Sequence, residues 1–493
     1  MSHEPAPDPA IGAAPVEPES RSDTRPDGVL AALADRLVRL AERWFPDAYV
    51  FVLLAALVVA GATMLHGGTP LATSRAFGDG FWNLIPFTMQ MALVAIGGYV
   101  VATSPPAGRA LQWLAAIPAS GRGAIVMVGL LSIALSLVNW GLSLIFSGLF
   151  VRAIARRDDI RLDYRAAGAA GYLGLGVGFT LGITSSAAQL QANAASIPPA
   201  LMPITGVIGF SQTILSWQNG VTILFVTILS AAICYATAPR EAAARTARDL
   251  GIALDEKPCA PKGPSRPGDV LEHSPVLSIL VVGLALGWFW QTFSAGNPLV
   301  HLSGLNTYNF VFLMLGILLH WRPRSLIDAF GAAMPSVAGV LLQFPFYAGI
   351  AQMLTRVPNA DGATLSDTIA HGFVSASVNA TAFSLLVGLY SAVLGFFIPS
   401  AGGKWIIEAP YVMAAANEIG AHLGWTVMVY NIAETLPNLI NPFWMLPLLG
   451  ILGLKSKDLI GYTAVQFFIH LPLVLILAAV LMGTFMYHPP VVP

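Results

Sequence analysis

Charge is what this sequence has least of. Only 10% of its 493 residues are Asp, Glu, Lys or Arg, against roughly 25% in an ordinary soluble domain. Residues 166–239, 275–321, 368–403 and 459–493 contain none at all. Runs of that length cannot cover a water-exposed surface, so a soluble globular domain is excluded. A net charge of −1 leaves no basic face for nucleic acid. Two cysteines, Cys234 and Cys259, give neither a disulfide framework nor a metal-ligand spacing. There is no Walker-type phosphate loop, GxSxG or HExxH, and the nine histidines are scattered. ATP-driven pumping and the common hydrolytic chemistries therefore have no support, and no cofactor is expected.

What the chain does have is apolar length. It is 56% hydrophobic, with a mean hydropathy of +0.70, the composition of an integral, multi-pass, all-α membrane protein. Residues 1–28, rich in Pro, Glu, Asp and Ser, read as a disordered cytoplasmic tail without a signal peptide. In 29–47, Leu30, Leu33, Leu37, Leu40 and Trp44 form a stripe with Arg36, Arg39 and Arg43 mostly beside it. That pattern predicts an amphipathic helix on the lipid surface, a soluble-type packing helix being the alternative.

Spans are expected at about 48–66 and 82–103, with the N-terminus and the Arg109–Arg122 segment inside by the distribution of basic residues. Residues 123–151 would then carry the Arg152–Arg165 cluster to the wrong side if they crossed as one helix. A reversal near Asn139-Trp140-Gly141 is preferred, giving a re-entrant hairpin with arms of about 21 Å. A Gly-rich crossing follows, Gly171 to Gly182, ending in Thr184-Ser185-Ser186. Residues 187–218 fit no simple span, and 219–238 return inside. Residues 239–274, with five prolines, read as a cytoplasmic linker between a first membrane repeat (48–238) and a second (275–487). Spans follow at 275–296, 305–321, 334–354, 425–452 and 459–484.

The layout repeats with opposite orientation. Segment 48–66 pairs with 305–321, 82–103 with 334–354, hairpin 123–151 with the region around 395–417, and 166–186 with 425–452. The expected fold is about ten to eleven transmembrane helices in two inverted repeats, each with a re-entrant hairpin and a discontinuous helix. Interrupted segments at matching positions mark the midplane site of a secondary transporter.

The strongest interruption is Pro399-Ser400-Ala401-Gly402-Gly403-Lys404, followed by Glu408. A half-helix starting there offers free N–H groups and a positive dipole end to a carboxylate. Lys404 either adds its charge to that site, snorkels to the interface, or forms an ion pair with Glu408 one turn on. Glu418 sits in what reads as a solvated loop. Glu434 lies in Asn431-Ile-Ala-Glu-Thr-Leu-Pro-Asn438-Leu-Ile-Asn441-Pro442, a stretch built to unwind. Glu434 is either a proton carrier or a structural partner of Lys404. Candidate substrate contacts are Asn139, Trp140, Gly141, Ser143, Ser185, Pro399, Ser400, Gly402, Gly403 and Lys404. Candidates for the coupling ion, H⁺ or Na⁺, are Glu408, Glu434, Asn438 and Asn441. Trp140, Phe396 and Trp405 are expected to line an apolar pocket. Against these readings stand a membrane-embedded enzyme using Glu408 or Glu434, which has no nucleophile constellation, and a channel, which would show passive, unsaturable current.

Several motifs together resemble the bacterial short-chain fatty acid transporter family, over about residues 34–485. They are Gly78-Asp-Gly-Phe-Trp-Asn-Leu84 with Met89-Gln-Met-Ala-Leu93, Asn139-Trp-Gly141 with the arginines from Arg152 to Arg157, Gln343-Phe-Pro-Phe-Tyr-Ala-Gly-Ile350, the Pro-Ser-x-Gly-Gly run to Pro410, and Asn441-Pro-Phe-Trp444. The resemblance implies uptake of short-chain fatty acids or related monocarboxylates, no enzymatic activity, and a multi-pass location in the bacterial inner membrane. Through a wider likeness to dimeric ion transporters with two hairpins it implies a homodimer and an elevator motion. This chain departs from the family pattern in carrying Ala401, Lys404 and Glu408, where a third Gly, a His or Gln, and a Gln are usual. Another small organic anion, a dicarboxylate or keto acid, is the alternative substrate class.

Overall fold

The computed structural model describes residues 48–254, 266–294, 298–302, 304–441 and 443–491. The expected tail (1–28), the amphipathic helix (29–47), linker residues 255–265 and Pro442 lie outside them. Among the described residues the chain is helical, with no β-strand. Lipid offers backbone groups no partners, so apolar runs of this kind must satisfy their hydrogen bonds within helices. Seven helical segments are long and apolar enough to cross a membrane, and an eighth counts if Leu423–Leu439 and Phe443–Leu452, bent by 72°, form one span. Four more apolar helices of 10–17 residues fall short by that measure.

Counting helices of seven residues or more, the first half contains α1 (Ala48–Leu65), α2 (Pro70–Gly80), α3 (Ile85–Ala102), α4 (Pro105–Ala115), α5 (Gly121–Val138), α6 (Trp140–Ala155), α7 (Tyr164–Gly171), α8 (Ser186–Ala192) and α9 (Trp217–Thr237). The second half contains α10 (Val276–Ser294), α11 (Leu305–His320), α12 (Pro323–Ala333), α13 (Ala338–Arg356), α14 (Leu365–Ala376), α15 (Ala380–Phe397), α16 (Ala401–Ile419), α17 (Leu423–Thr435), α18 (Leu446–Leu452) and α19 (Ser456–Met482). Helix α3 packs between α6 and α11, α13 lies along α1 and α2, and α15 packs on α17 and α19. Helix α16 sits among α13, α14 and α17.

The chain breaks as expected at Asn139, and α5 and α6 fold back on each other. The Ser143 hydroxyl donates to the carbonyl of Ser132, 2.7 Å away and eleven residues earlier. The arms are 18 and 16 residues long, about 24–27 Å at 1.5 Å per residue, longer than expected because the helices continue past 123 and 151 at their outer ends. In the second half the paired helices are α15 and α16, so the interrupted element begins at Ala380, earlier than the expected region around 395–417. Helix α15 leans on α17 and α19 and meets α16 through Tyr390 and Ser391, which hydrogen-bond to Tyr411, Glu408 and Lys404. Glu418, read as part of a loop, lies in the last turn of α16 beside His371, 3.6 Å away. The first part of the linker docks on the arginine-rich end of α6 and α7: the Arg156 Nη2 donates to Leu254 O at 2.8 Å, and Asp163 accepts from the Arg245 N–H at 3.0 Å.

Candidate functional site

Four interrupted pieces of chain meet inside the bundle. The first is the α5–α6 break. Asn139 caps α6 by accepting from the Leu142 N–H at 2.9 Å, while its Nδ2 donates to Val94 O at 3.0 Å and to the Tyr308 hydroxyl at 2.9 Å. Fully buried, its amide is spent on holding the break to α3 and α11. Ser143 is likewise turned to Ser132, and Gly141 backs onto the carbonyl of Ala95. Of the first-break candidates Trp140 alone faces open space, its ring edge-on to Trp444 with centroids 5.5 Å apart.

The second piece is the glycine-rich segment after α7. It passes through a π-helical turn at Gly174–Gly178 and a 3₁₀ turn at Phe179–Leu181. Gly182 then lies flat against the backbone of Leu137, where any side chain would overlap it, and the Ile183 N–H donates to Leu137 O at 2.8 Å. Ser185 caps α8, accepting from the Ala188 N–H at 3.4 Å. The third piece is the α15–α16 break, where Ser400 caps α16 by accepting from the Gly403 N–H at 3.2 Å. The Pro399 carbonyl is taken by the Trp444 Nε1–H at 2.7 Å. Gly403 has no room for a side chain, because the Tyr347 ring covers it. The fourth is the end of α17, which tightens into a 3₁₀ turn at Leu436–Leu439. Asn441, beyond it, uses its Nδ2 on Phe396 O and its Oδ1 on the Phe443 N–H. The second and fourth pieces are tied reciprocally: the Thr180 hydroxyl donates to Asn431 O at 2.9 Å, and the Thr435 hydroxyl to Leu175 O at 3.0 Å.

Where these pieces converge they leave a small cleft. Its lining combines apolar rings, Trp140, Phe179, Phe344 and Trp444, with Ser186, Ser400, the first turn of α16 at Ala401-Gly402, and Asn438. The Asn438 side chain is buried, and its Oδ1 receives no hydrogen bond. The first-turn amides of a helix can hold a carboxylate; Asn438 can join them only through its Nδ2 donors, since Oδ1 is an acceptor. A larger cavity lies between α3, α11 and α12. Two of its amides are partly engaged: Asn309 donates to Gln90 O at 2.9 Å, and Asn306 accepts from Gln90 Nε2 at 2.8 Å, while the Asn309 Oδ1 receives no hydrogen bond. The rest of its lining is apolar apart from the Gly97 backbone.

The charged candidates form a separate cluster behind the cleft. The Nζ of Lys404 is 3.1 Å from Glu408 Oε1 and 2.6 Å from Glu434 Oε2, and all three side chains are at most 1% exposed. Neither of those oxygens receives a well-aligned hydrogen bond. Nζ donates to Ser391 O at 2.6 Å, and the Ser391 hydroxyl donates to Glu408 Oε2 at 2.5 Å. The ammonium also lies 4.7 Å from the centre of the Tyr430 ring. Lys404 is thus neither snorkelling nor in the cleft. It binds both carboxylates at once, an arrangement whose first half the i, i+4 spacing made visible.

Sequence reasoning reached Trp140, Ser400, Gly402 and Asn438 of the cleft. It missed Ser186, Phe179, Phe344 and Trp444, although Ser186 closes the Thr-Ser-Ser run and Trp444 the Asn-Pro-Phe-Trp motif. Ser391 has no signal, being one serine in an apolar helix. Two expectations are corrected: Trp405 is buried against Tyr430 (centroids 4.6 Å) and Phe396 against Phe467 (5.5 Å), so neither lines the cleft.

The sequence profile of the short chain fatty acid transporter family matches residues 29–482. A candidate short-chain fatty acid transporter of Escherichia coli K12 is 32% identical over 436 residues, covering 86% of this chain and 94% of its own. One of Haemophilus influenzae is 31% identical over 433 residues, with the same coverage. The crystal structure of the Alcanivorax borkumensis YdaH transporter superposes on 89% of this chain and 98% of its own with a TM-score of 0.55, at 18% identity, a likeness of fold. The chain belongs to the short-chain fatty acid transporter family.

Proposed function

We propose that the protein is a secondary active transporter that takes up short-chain fatty acids or related small monocarboxylates. The substrate carboxylate sits against the α16 first turn and Asn438, and its short tail lies against Trp140, Phe179 and Phe344. The observation that carries this reading is the cleft of apolar rings and polar groups at the junction of the interrupted segments. Among its described lining residues none is charged, which suits one carboxylate better than a dicarboxylate. Uptake is by ion symport, with α5–α6 and α15–α16 acting as re-entrant hairpins in a domain that moves as an elevator within a homodimer. The protein resides in the bacterial inner membrane, N-terminus inside, consistent with Arg109 on α4, Arg122 in the first turn of α5, and Arg156, Arg157 and Arg161 on the α6–α7 connection.

The test is uptake of labelled butyrate and acetoacetate into proteoliposomes under imposed pH and Na⁺ gradients. Protein-free vesicles set the background, since undissociated butyric acid crosses lipid unaided. Saturable uptake whose KM rises in Asn438→Leu supports the assignment. Saturable uptake of a dicarboxylate, but of neither monocarboxylate, overturns it.

A further inference from the structure

The Lys404–Glu408–Glu434 cluster holds two carboxylates and one ammonium, all removed from water. With every group ionised it would carry one uncompensated negative charge, which a buried site does not tolerate. The cluster is therefore stabilised by one more positive charge when the carrier moves loaded. The two carboxylates are not equivalent. Glu408 is fixed as an acceptor, with Lys404 on Oε1 and the Ser391 hydroxyl on Oε2. Glu434 meets the ammonium through Oε2 alone and lies at the end of α17, directly before the 3₁₀ turn that brings Asn438 to the cleft.

No second cation faces the cluster among the described residues. The titratable groups turned to it from the packed helices are phenols: Tyr347 on α13, Tyr390 on α15, Tyr411 on α16 and Tyr430 on α17. His470 on α19 is turned away, to Ser230 at 3.0 Å, and His371 on α14 pairs with Glu418 at the far end of α16. A metal cation would need the space between the two carboxylates, and Nζ of Lys404 occupies it.

We propose that this cluster is a proton-binding site, that Glu434 carries the proton, and that the carrier couples to H⁺ and not to Na⁺. The tethered ammonium does the work of a bound metal cation, and one proton per cycle neutralises the remaining charge. Glu434 takes that proton as a carboxylic acid on the outer side and releases it on the inner side. Tyr430 links the two sites, since its ring covers Nζ and its hydroxyl donates to Ala401 O, in the wall of the cleft, at 2.6 Å. One proton with one monocarboxylate moves no net charge, so uptake is electroneutral. This inference rests on the transport reading above for its consequence, though not for the proton site itself.

Two measurements separate the parts. Infrared difference spectra of the purified wild-type protein between neutral and alkaline pH report the carbonyl stretch of any buried carboxylic acid, whatever the substrate. A band lost at alkaline pH and missing in Glu434→Gln supports the site; its absence from the wild-type protein overturns it. In proteoliposomes, a pH gradient should drive butyrate accumulation over the protein-free background without Na⁺, and an imposed potential should not change it. Glu434→Gln should carry butyrate down its own gradient but fail to accumulate it. Accumulation that requires Na⁺, or that survives in Glu434→Gln with wild-type pH dependence, overturns the coupling role. A clear infrared band with no uptake of butyrate or acetoacetate would leave the proton site standing and refute the substrate reading.

Discussion

Lys404→Met is the sharpest perturbation the structure offers. It keeps the length of the side chain and removes the one ammonium that two buried carboxylates share. At an effective dielectric constant near 20, contacts of 2.6 and 3.1 Å each attract by roughly 5–6 kcal/mol before desolvation is counted. Much of that is offset by taking three charges out of water, and what remains on deletion is the penalty of stranded carboxylates, roughly 3–5 kcal/mol. The Ser391 carbonyl also loses its donor. The triple change Lys404→Met, Glu408→Gln, Glu434→Gln removes the stranded charges and should recover most of the loss, an interaction energy far from additive. Thermal unfolding of the detergent-solubilised proteins, followed by tryptophan fluorescence, reads both. A single variant as stable as wild type, or a triple variant no better than the single, would refute the claim that the ammonium holds both carboxylates in place.

Asn139→Leu should destabilise by about 2–4 kcal/mol, because three hydrogen bonds at the first break are lost together; the same melt checks it. Gly182→Ala forces a methyl group into the Leu137 backbone and should destabilise by about 1–3 kcal/mol, with reduced uptake in vesicles. Ser400→Ala removes the α16 cap, worth about 1 kcal/mol, and should raise the substrate KM more than it lowers the melting temperature. In the turn before α17, burial and the nearby His488 push His422 down to about 4. Its neutral Nδ1 accepts from the Trp425 N–H at 3.0 Å. The folded state favours the neutral ring, so this contribution is complete above the ordinary histidine range near 6.5 and is lost as pH falls from there toward 4. His422→Asn, which caps without titrating, should flatten that part of the stability–pH curve.

The interruptions themselves are local properties of the sequence. Asn139-Trp140-Gly141, Pro399-Ser400 and Leu436-Pro437-Asn438 lack either a donor or a helical preference, which favours an interruption there, although Pro345, Pro410 and Pro472 lie inside continuous helices. The same holds for the apolar runs, which had no choice but to be helices in lipid. The Lys404–Glu408 contact was legible because residues four apart share a helix face.

Partnerships across the bundle were not legible. Glu434 reaches Lys404 only because α17 packs on α16, and Ser391 only because α15 brings its middle turn alongside. Asn139 could have faced substrate; it is consumed by α3 and α11, two helices whose approach no local pattern announces. Trp405 and Trp140 are alike on paper, each beside a break, yet one is sealed against Tyr430 and the other opens on the cleft. Composition and local breaks determined that this is an interrupted, multi-pass helical membrane protein, because those features depend on backbone chemistry within a few residues. Which side chains meet the cleft and which are spent on one another depended on packing among helices far apart in sequence, and only the tertiary structure decided it.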